Sequence, residues 1–324
     1  MICKREPDCA LPALYNRIVR GYLGVTDFDW YEFLSARPEL DEVNFWRPSG
    51  KSLNLEPGTP FFFKLKAPHN AIAGFGFFAR ASVIPASLAW EAFGEKNGAA
   101  TEQEMRIRIE RYRDSSPNAH GDYDVGCLMV SEPMFFNETE WIPQPRDWGR
   151  QTVSGAGYDL AVGEGKRIWE ACLAPTSTPT TEAVIAREVA KFGAPVLVRP
   201  RLGQGTFRVA VTDAYARACA ITTEHSLPVL EAAHIRPYAD DGVHDVRNGL
   251  LFRSDVHRLF DRGYVTVTPE YNFEVSARLK ADFQNGKTYY ALHGKQIRLP
   301  AKKSDRPDPE LLRWHNENRF RAAS

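Results

Sequence analysis

The sequence predicts an α+β protein of two units, a strand-rich one in front and a shorter one behind that places strand, loop, strand and helix in succession. Three observations predict it. At 324 residues the chain is longer than one typical domain and fits two of roughly 150 residues each. Ala174-Pro-Thr-Ser-Thr-Pro-Thr-Thr181 is a run of Pro and small polar residues without apolar periodicity, which reads as a linker at 174–181 between units 1–173 and 182–324. The patterning also differs on its two sides, short aromatic runs in front and one dense polar–apolar constellation behind.

In the first unit, Leu11 to Arg37 holds two stretches of helical apolar spacing broken near Gly24. Phe61-Phe62-Phe63-Lys64-Leu65-Lys66 and Ile72-Ala73-Gly74-Phe75-Gly76-Phe77-Phe78, separated by Pro68-His69-Asn70, form a hairpin-like pair of strands. Val125–Pro133 and Tyr158–Val162 read as further strands, Leu88–Gly94 and Thr101–Arg113 as helices, the latter solvated. In the second unit the pattern predicts a helix over Thr181–Phe192 and a strand at Val196–Val198. Phe207–Val211 is a strand or the entry to a helix, and Val229–Ile235 a strand.

Composition narrows the function classes. Hydrophobic residues at 43% and charged residues at 25% describe an ordinary globular chain and exclude a fibrous one. No apolar run approaches the roughly 18 residues of a membrane span, and the N-terminus lacks the apolar core of a signal peptide, so a cytoplasmic protein is expected. Five cysteines without a CxxC pair offer no structural zinc site. A formal net charge of zero hides an asymmetry: Glu182–Ser324 carries 22 Lys+Arg against 17 Asp+Glu, whereas residues 1–181 carry 19 against 24. The basic half is therefore the one expected to meet a polyanion.

The chemistry is concentrated in Leu230-Glu231-Ala232-Ala233-His234-Ile235-Arg236-Pro237, then Gly242 to Asn248-Gly249-Leu250-Leu251, then Arg253-Ser254-Asp255-Val256-His257-Arg258-Leu259-Phe260-Asp261. Here the sequence resembles the HNH (ββα-metal) endonucleases of the HNH_2-like restriction type, with His234, Asn248 and His257 in the order that names the family. The resemblance implies a strand, a loop with Asn, a strand and a helix bearing metal ligands. Phosphodiester hydrolysis needs a base that is neutral near pH 7, and His234 takes that part. It also needs a Lewis acid, a divalent metal, Mg²⁺ or Mn²⁺, for which His257 is the expected ligand. His257 and Asp261 lie one helical turn apart beside the apolar face of Val256, Leu259 and Phe260, so Asp261 is the candidate second ligand and Asp255 the alternative. The resemblance implies that Asn248 hydrogen-bonds across the loop and braces the strand carrying the base. Many members carry a metal-binding side chain just before the base, and here Ala233 stands there, leaving the ligand set one short.

Arg199, Arg201, Arg236, Arg253 and Arg258 flank this constellation as candidate phosphate contacts. His225 and His244 read as loop residues, His293 and His315 as structural ones in the tail Ala277–Phe320, which resembles the extension behind HNH cores of restriction nucleases and is expected to pack on the core.

Asn44-Phe45-Trp46-Arg47-Pro48, Gly58 with Phe61–Lys64, and Ile72–Phe77 give residues 40–172 a looser similarity to the PUA-like superfamily, in its EVE and ASCH group. That resemblance implies a small β-barrel around a base pocket, for which Trp46 and Trp90 are the candidates. Trp141 and Trp148 flank Pro-rich turns. A reader before a cutter implies a modification-dependent, type IV-like restriction endonuclease acting on modified double-stranded DNA, as a homodimer if both strands are cut. The other readings are a non-cutting nucleic-acid-binding regulator and an RNA-directed HNH nuclease.

Overall fold

The computed structural model describes residues 20–113, 121–174 and 202–322. Cys3, Cys9, most of the linker, the elements expected over Thr181–Phe192 and Val196–Val198, and Arg199 and Arg201 lie outside them.

The first unit is built on strands β1 (Arg20–Thr26), β2 (Glu42–Arg47), β3 (Pro60–Leu65), β4 (Ala71–Pro85), β5 (Asp124–Phe135), β6 (Ile142–Pro143) and β7 (Gly155–Asp159). Their order is β2-β5-β4-β3-β1-β7, with β6 added to β4, and β1–β3 is the parallel pair. The expected hairpin is present, Phe62 opposite Phe75. Two expectations are corrected. Arg20–Thr26, inside the stretch read as helical, is a strand: a Cβ at Gly24 would lie 2.6 Å from the Phe61 ring, so the apolar spacing there serves close strand packing. The barrel does not close among the described residues. Two register shifts bend β4, but the outer side of β2 meets the turn at Gly94–Asn97 instead of β7, with Asn44 donating to Asn97 Oδ1 at 2.8 Å and Trp46 Nε1 to Asn97 O at 3.1 Å.

The Phe61-Phe62-Phe63 run is buried on both faces of the sheet, which is why it lacks polar alternation. Phe61 and Phe63 pack with Trp30 and Leu34 of α1 (Phe28–Ser35), and Phe62 packs with Trp169 and Ile168 of α4 (Gly163–Leu173). A third cluster joins Ile84 and Met129 to Ala89 and Phe93 of α2 (Ala86–Phe93) and Met105 of α3 (Glu102–Glu110).

Behind this unit comes α5 (Gln204–Ala214), which settles the Phe207–Val211 alternative as helix. Its two faces are buried in different places. Val209 completes the third cluster of the first unit, whereas Phe207 and Val211, four residues apart, enter the core of the second. That core is formed by β8 (Leu230–His234), β9 (Gly249–Arg253) and α6 (Ser254–Asp261), then by β10 (Val265–Val267), β11 (Phe273–Val275) and three helices, α7 (Arg278–Phe283), α8 (Lys287–Tyr290) and α9 (Pro309–Asn318). The tail packs on it as expected: Leu312 is fully buried and the His315 ring stacks on Phe260 at 3.8 Å. Cys127, Cys172 and Cys219 are buried free thiols. Among the described residues no helix is long and apolar enough to cross a membrane.

Candidate active site

The antiparallel pair β8–β9, with His234 opposite Gly249, and the helix that follows bring together residues far apart in the loop between them. Asn248 holds that loop. Its side chain is fully buried; Oδ1 accepts from Arg236 N at 2.9 Å, and Nδ2 donates to Arg236 O at 2.9 Å and Val243 O at 3.0 Å. An amide does here what neither a carboxylate nor an amine can, donating and accepting at once.

His234 ends β8 with its ring stacked on Phe207, centroids 3.9 Å apart and planes 14° from parallel. Its Nε2 lies 3.0 Å from Nδ1 of His244. Nδ1 of His234 has no hydrogen-bond partner among the described residues. Burial, reinforced by the neighbouring His244 and His257, lowers the His234 pKa to about 4, so its imidazole is neutral at pH 7.

His257, one turn into α6, sits between two carboxylates. Nδ1 is 2.7 Å from Glu231 Oε2 and Nε2 is 3.4 Å from Asp261 Oδ2. Burial works against its charged form, but Asp261 and Glu231 outweigh it and raise the pKa. A ligating histidine commonly gives its second ring nitrogen to a carboxylate, and Glu231 stands in that position. Nε2 of His257 and Oδ2 of Asp261, 3.4 Å apart, are then the pair that could hold a metal. Two ligands about 2.1 Å from one ion and at right angles stand about 3 Å apart, close to the spacing seen. An imidazole beside a carboxylate suits a divalent cation. Among the described residues no three His, Cys, Asp or Glu side chains form a ready-made cage. Ala233 is wholly buried in the apolar core, so its position offers no donor to the cleft.

Residues 219–268 match the family model of HNH endonucleases, HNH_2. The chain is a nuclease with an HNH endonuclease domain. No curated protein matches the sequence. Solved structures with some likeness to it include the ASCH protein of Zymomonas mobilis, 12% identical over 46% of this chain and 94% of that one with a TM-score of 0.32. A serine-to-alanine mutant of that protein is 10% identical over 48% and 96%, with a TM-score of 0.31. The modification-dependent TagI restriction endonuclease is 12% identical over 81% of this chain and 61% of that one, with a TM-score of 0.28. At these scores the likeness says nothing of substrate.

The HNH site opens into a cavity of about 820 Å³ whose walls come from both units: His234, His257 and Asp261 face Glu91 and Lys96 of the first. Sequence reasoning missed Glu231, for which no spacing rule applies, and read His244 as an ordinary loop residue. Asp255, the alternative ligand, is taken up elsewhere: Arg253 holds it bidentately at 2.7 Å and the Tyr289 hydroxyl donates to it at 3.0 Å. The Arg253 hydrogen bond, against some burial, draws its pKa to about 2. Arg253 is thereby engaged too, and Arg236 is tied to the Asp240 carbonyl. Arg258 is exposed, while Arg208 and Arg319, not singled out in the sequence, line the cavity.

The two tryptophans do not share a pocket. Trp46 borders a second cavity of about 300 Å³ with Trp30, Phe45, Arg47, Lys66 and Tyr112. Trp90 instead packs, half-buried, against the α2–α3 cluster. Trp141 also packs inward, its Nε1 donating to Phe136 O at 3.2 Å, and Trp148 lies against the α4 side.

Proposed function

We propose that the chain is a modification-dependent endonuclease in which a PUA-like unit, 1–173, reads a modified base in double-stranded DNA. Across the 174–181 linker, the ββα-metal unit, 182–324, hydrolyses a nearby phosphodiester. The observation that carries the cutting half is the convergence of a neutral His234 and the His257–Asp261 pair on one cavity. A divalent ion held by His257 and Asp261, Mg²⁺ or Mn²⁺, would supply Lewis acidity at the leaving oxygen. Glu231 orients His257 through Nδ1. His234 takes the proton from the attacking water at Nδ1.

That role fixes its tautomer. For Nδ1 to keep a lone pair, Nε2 must carry the hydrogen and donate it to His244 Nδ1, which makes His244 the group that holds the base in its working form. Asn248 keeps His234 and the loop bearing His244 in register. Arg258 is a proposed phosphate contact, as are Arg208, Arg319 and Arg236 where phosphate displaces their present partners Glu91, Asp240 and Asp241, joined by Arg199 and Arg201 from outside the described residues. The reading half rests on the aromatic cavity at Trp46, large enough for a flat ring and edged by the cations Arg47 and Lys66. Cutting both strands calls for two such sites and hence a homodimer.

The test is cleavage of supercoiled plasmid with Mg²⁺ or Mn²⁺, using matched unmodified, methylated and hydroxymethylated DNA. Metal-dependent cutting that favours one modified form and is lost in His234→Ala supports the reading. Cutting of structured RNA alone, or cutting undiminished by His234→Ala, overturns it.

A further inference from the structure

We propose that Glu42, in the strand-rich unit, is a positioning residue for the HNH site: it anchors the first turn of α5 and, through Phe207, sets the ring of His234. The inference rests on the reading of His234 as the base.

A helix leaves its first backbone N–H groups without partners, and Gly203, at the N-cap of α5, has no side chain to offer them. Glu42 takes that place from the other unit. Its side chain is completely buried; Oε1 accepts from Gly205 N at 2.8 Å, and Oε2 accepts from Thr206 N at 3.0 Å and from the Thr206 hydroxyl. Lys96 completes the arrangement, donating to Oε1 at 3.1 Å and to Asp41 at 2.5 Å. A carboxylate at a helix N-terminus is also favoured by the helix dipole.

The fit is close enough to depend on glycine. A Cβ at Gly203 would stand 2.2 Å from the Glu42 carboxyl carbon, and one at Gly205 would stand 2.5 Å from Ala92 O and 2.6 Å from the Phe93 ring. Val209, further along the helix, is buried among side chains of the first unit. Arg208 adds an ion pair to Glu91 at 2.7 Å.

The residue directly after this clasp is Phe207, whose ring covers the face of His234. His234 has a single side-chain hydrogen bond among the described residues, to His244 on a loop. The stack with Phe207 therefore supplies much of what fixes the plane of the base. A tilt of the first turn of α5 moves that ring and with it the direction of the Nδ1 lone pair. The strand-rich unit thus does more than deliver DNA to the HNH site; it forms part of the support of the base.

The experiment compares wild type, Glu42→Ala and Glu42→Gln as full-length proteins. Three quantities are read: the single-turnover cleavage rate at saturating Mn²⁺ and DNA, the Mn²⁺ concentration for half-maximal rate, and the His234 ring proton resonances, assigned by their loss in His234→Ala. Glu42→Ala is expected to lower the rate about tenfold or more, because small misplacements of a reacting group are costly. The Mn²⁺ requirement should stay within about twofold of wild type, as the metal side chains are untouched. The His234 ring protons should move downfield as they leave the shielding face of Phe207. Glu42→Gln, which can still accept one N–H but turns an NH₂ toward the other, is expected between the two. A rate within about twofold of wild type with unmoved resonances overturns the proposal. So does a rate that falls only in step with the folded fraction. If Glu42→Ala does not fold, Glu42→Gln decides by the same three readings. Failure of the nuclease reading looks different: wild type then does not cut, or His234→Ala cuts equally, while the ring resonances still report on the clasp.

Discussion

The HNH site and the aromatic cavity of the first unit are built in opposite ways. Every chemical group of the first, Glu231, His234, His244, Asn248, His257 and Asp261, comes from one hairpin and the helix after it. The second gathers Trp30 from a helix, Phe45 and Trp46 from an edge strand, and Lys66, Tyr112 and Ser154 from three separate connections. A local site is encoded by spacing, because strand, turn and helix geometry convert sequence distance into position. A site assembled across a sheet is encoded by strand order, which no short spacing reveals.

The sharpest way to break this contrast is at the histidine on α6. His257→Ala should lower cleavage by about a hundredfold or more, because it removes an imidazole donor and leaves Asp261 alone to hold the metal. Calorimetric titration of the DNA-bound protein with Mn²⁺ should lose its site. An unchanged isotherm means the metal binds elsewhere. Glu231→Gln should be milder, raising the Mn²⁺ needed for half-maximal cleavage about tenfold, the usual scale for a group that orients a metal-binding histidine. Asp261→Asn should raise it too, and Asp255→Asn should not, since Asp255 is occupied by Arg253 and Tyr289. The reverse pattern would exchange the two carboxylates.

What the sequence made legible follows the same division. That His257 and Asp261 share one side was legible because a helix puts residues four apart there, and the HNH domain was legible because the order of His234, Asn248 and His257 resembles that family's. Glu231 was not, since its approach to His257 depends on how α6 folds back over β8. His244 was hidden by its loop, whose path Asn248 dictates through two backbone carbonyls and one N–H. Trp46 and Trp90 looked equivalent, and only the position of β2 at the sheet edge against the packing of α2 beneath it separates them. The open sheet departed from the expected barrel because Asn97 occupies the side of β2. The strand Arg20–Thr26 departs from the expected helix because its glycines mark close packing and not a break between helices.

A smaller effect concerns stability. His315 is 2% exposed. Its Nε2 lies 3.2 Å from Phe260 O, so Nε2 carries the hydrogen and Nδ1 accepts from Thr266 at 2.8 Å. Burial lowers its pKa from 6.5 to about 4, outweighing the help of the Phe260 carbonyl. The unfolded chain therefore takes up this proton at higher pH than the folded one, and stability falls as pH drops from 6.5 toward 4. Across the whole window the loss from this residue is on the order of 3 kcal/mol. Thermal melts at pH 7 and pH 5 should show a drop in Tm for wild type and a smaller one for His315→Gln; equal drops would place the proton uptake elsewhere.

The most direct measurement sets the two cavities against each other on matched modified and unmodified DNA, recording binding and cleavage for wild type, Trp46→Ala and His234→Ala. Separate sites predict opposite losses. Trp46→Ala should lower the preference for modified DNA while cleavage of unmodified DNA stays near its wild-type rate. His234→Ala should keep the binding preference and lose cleavage of both. Contradiction would be a Trp46→Ala protein that discriminates as wild type does, or a His234→Ala protein that still cuts.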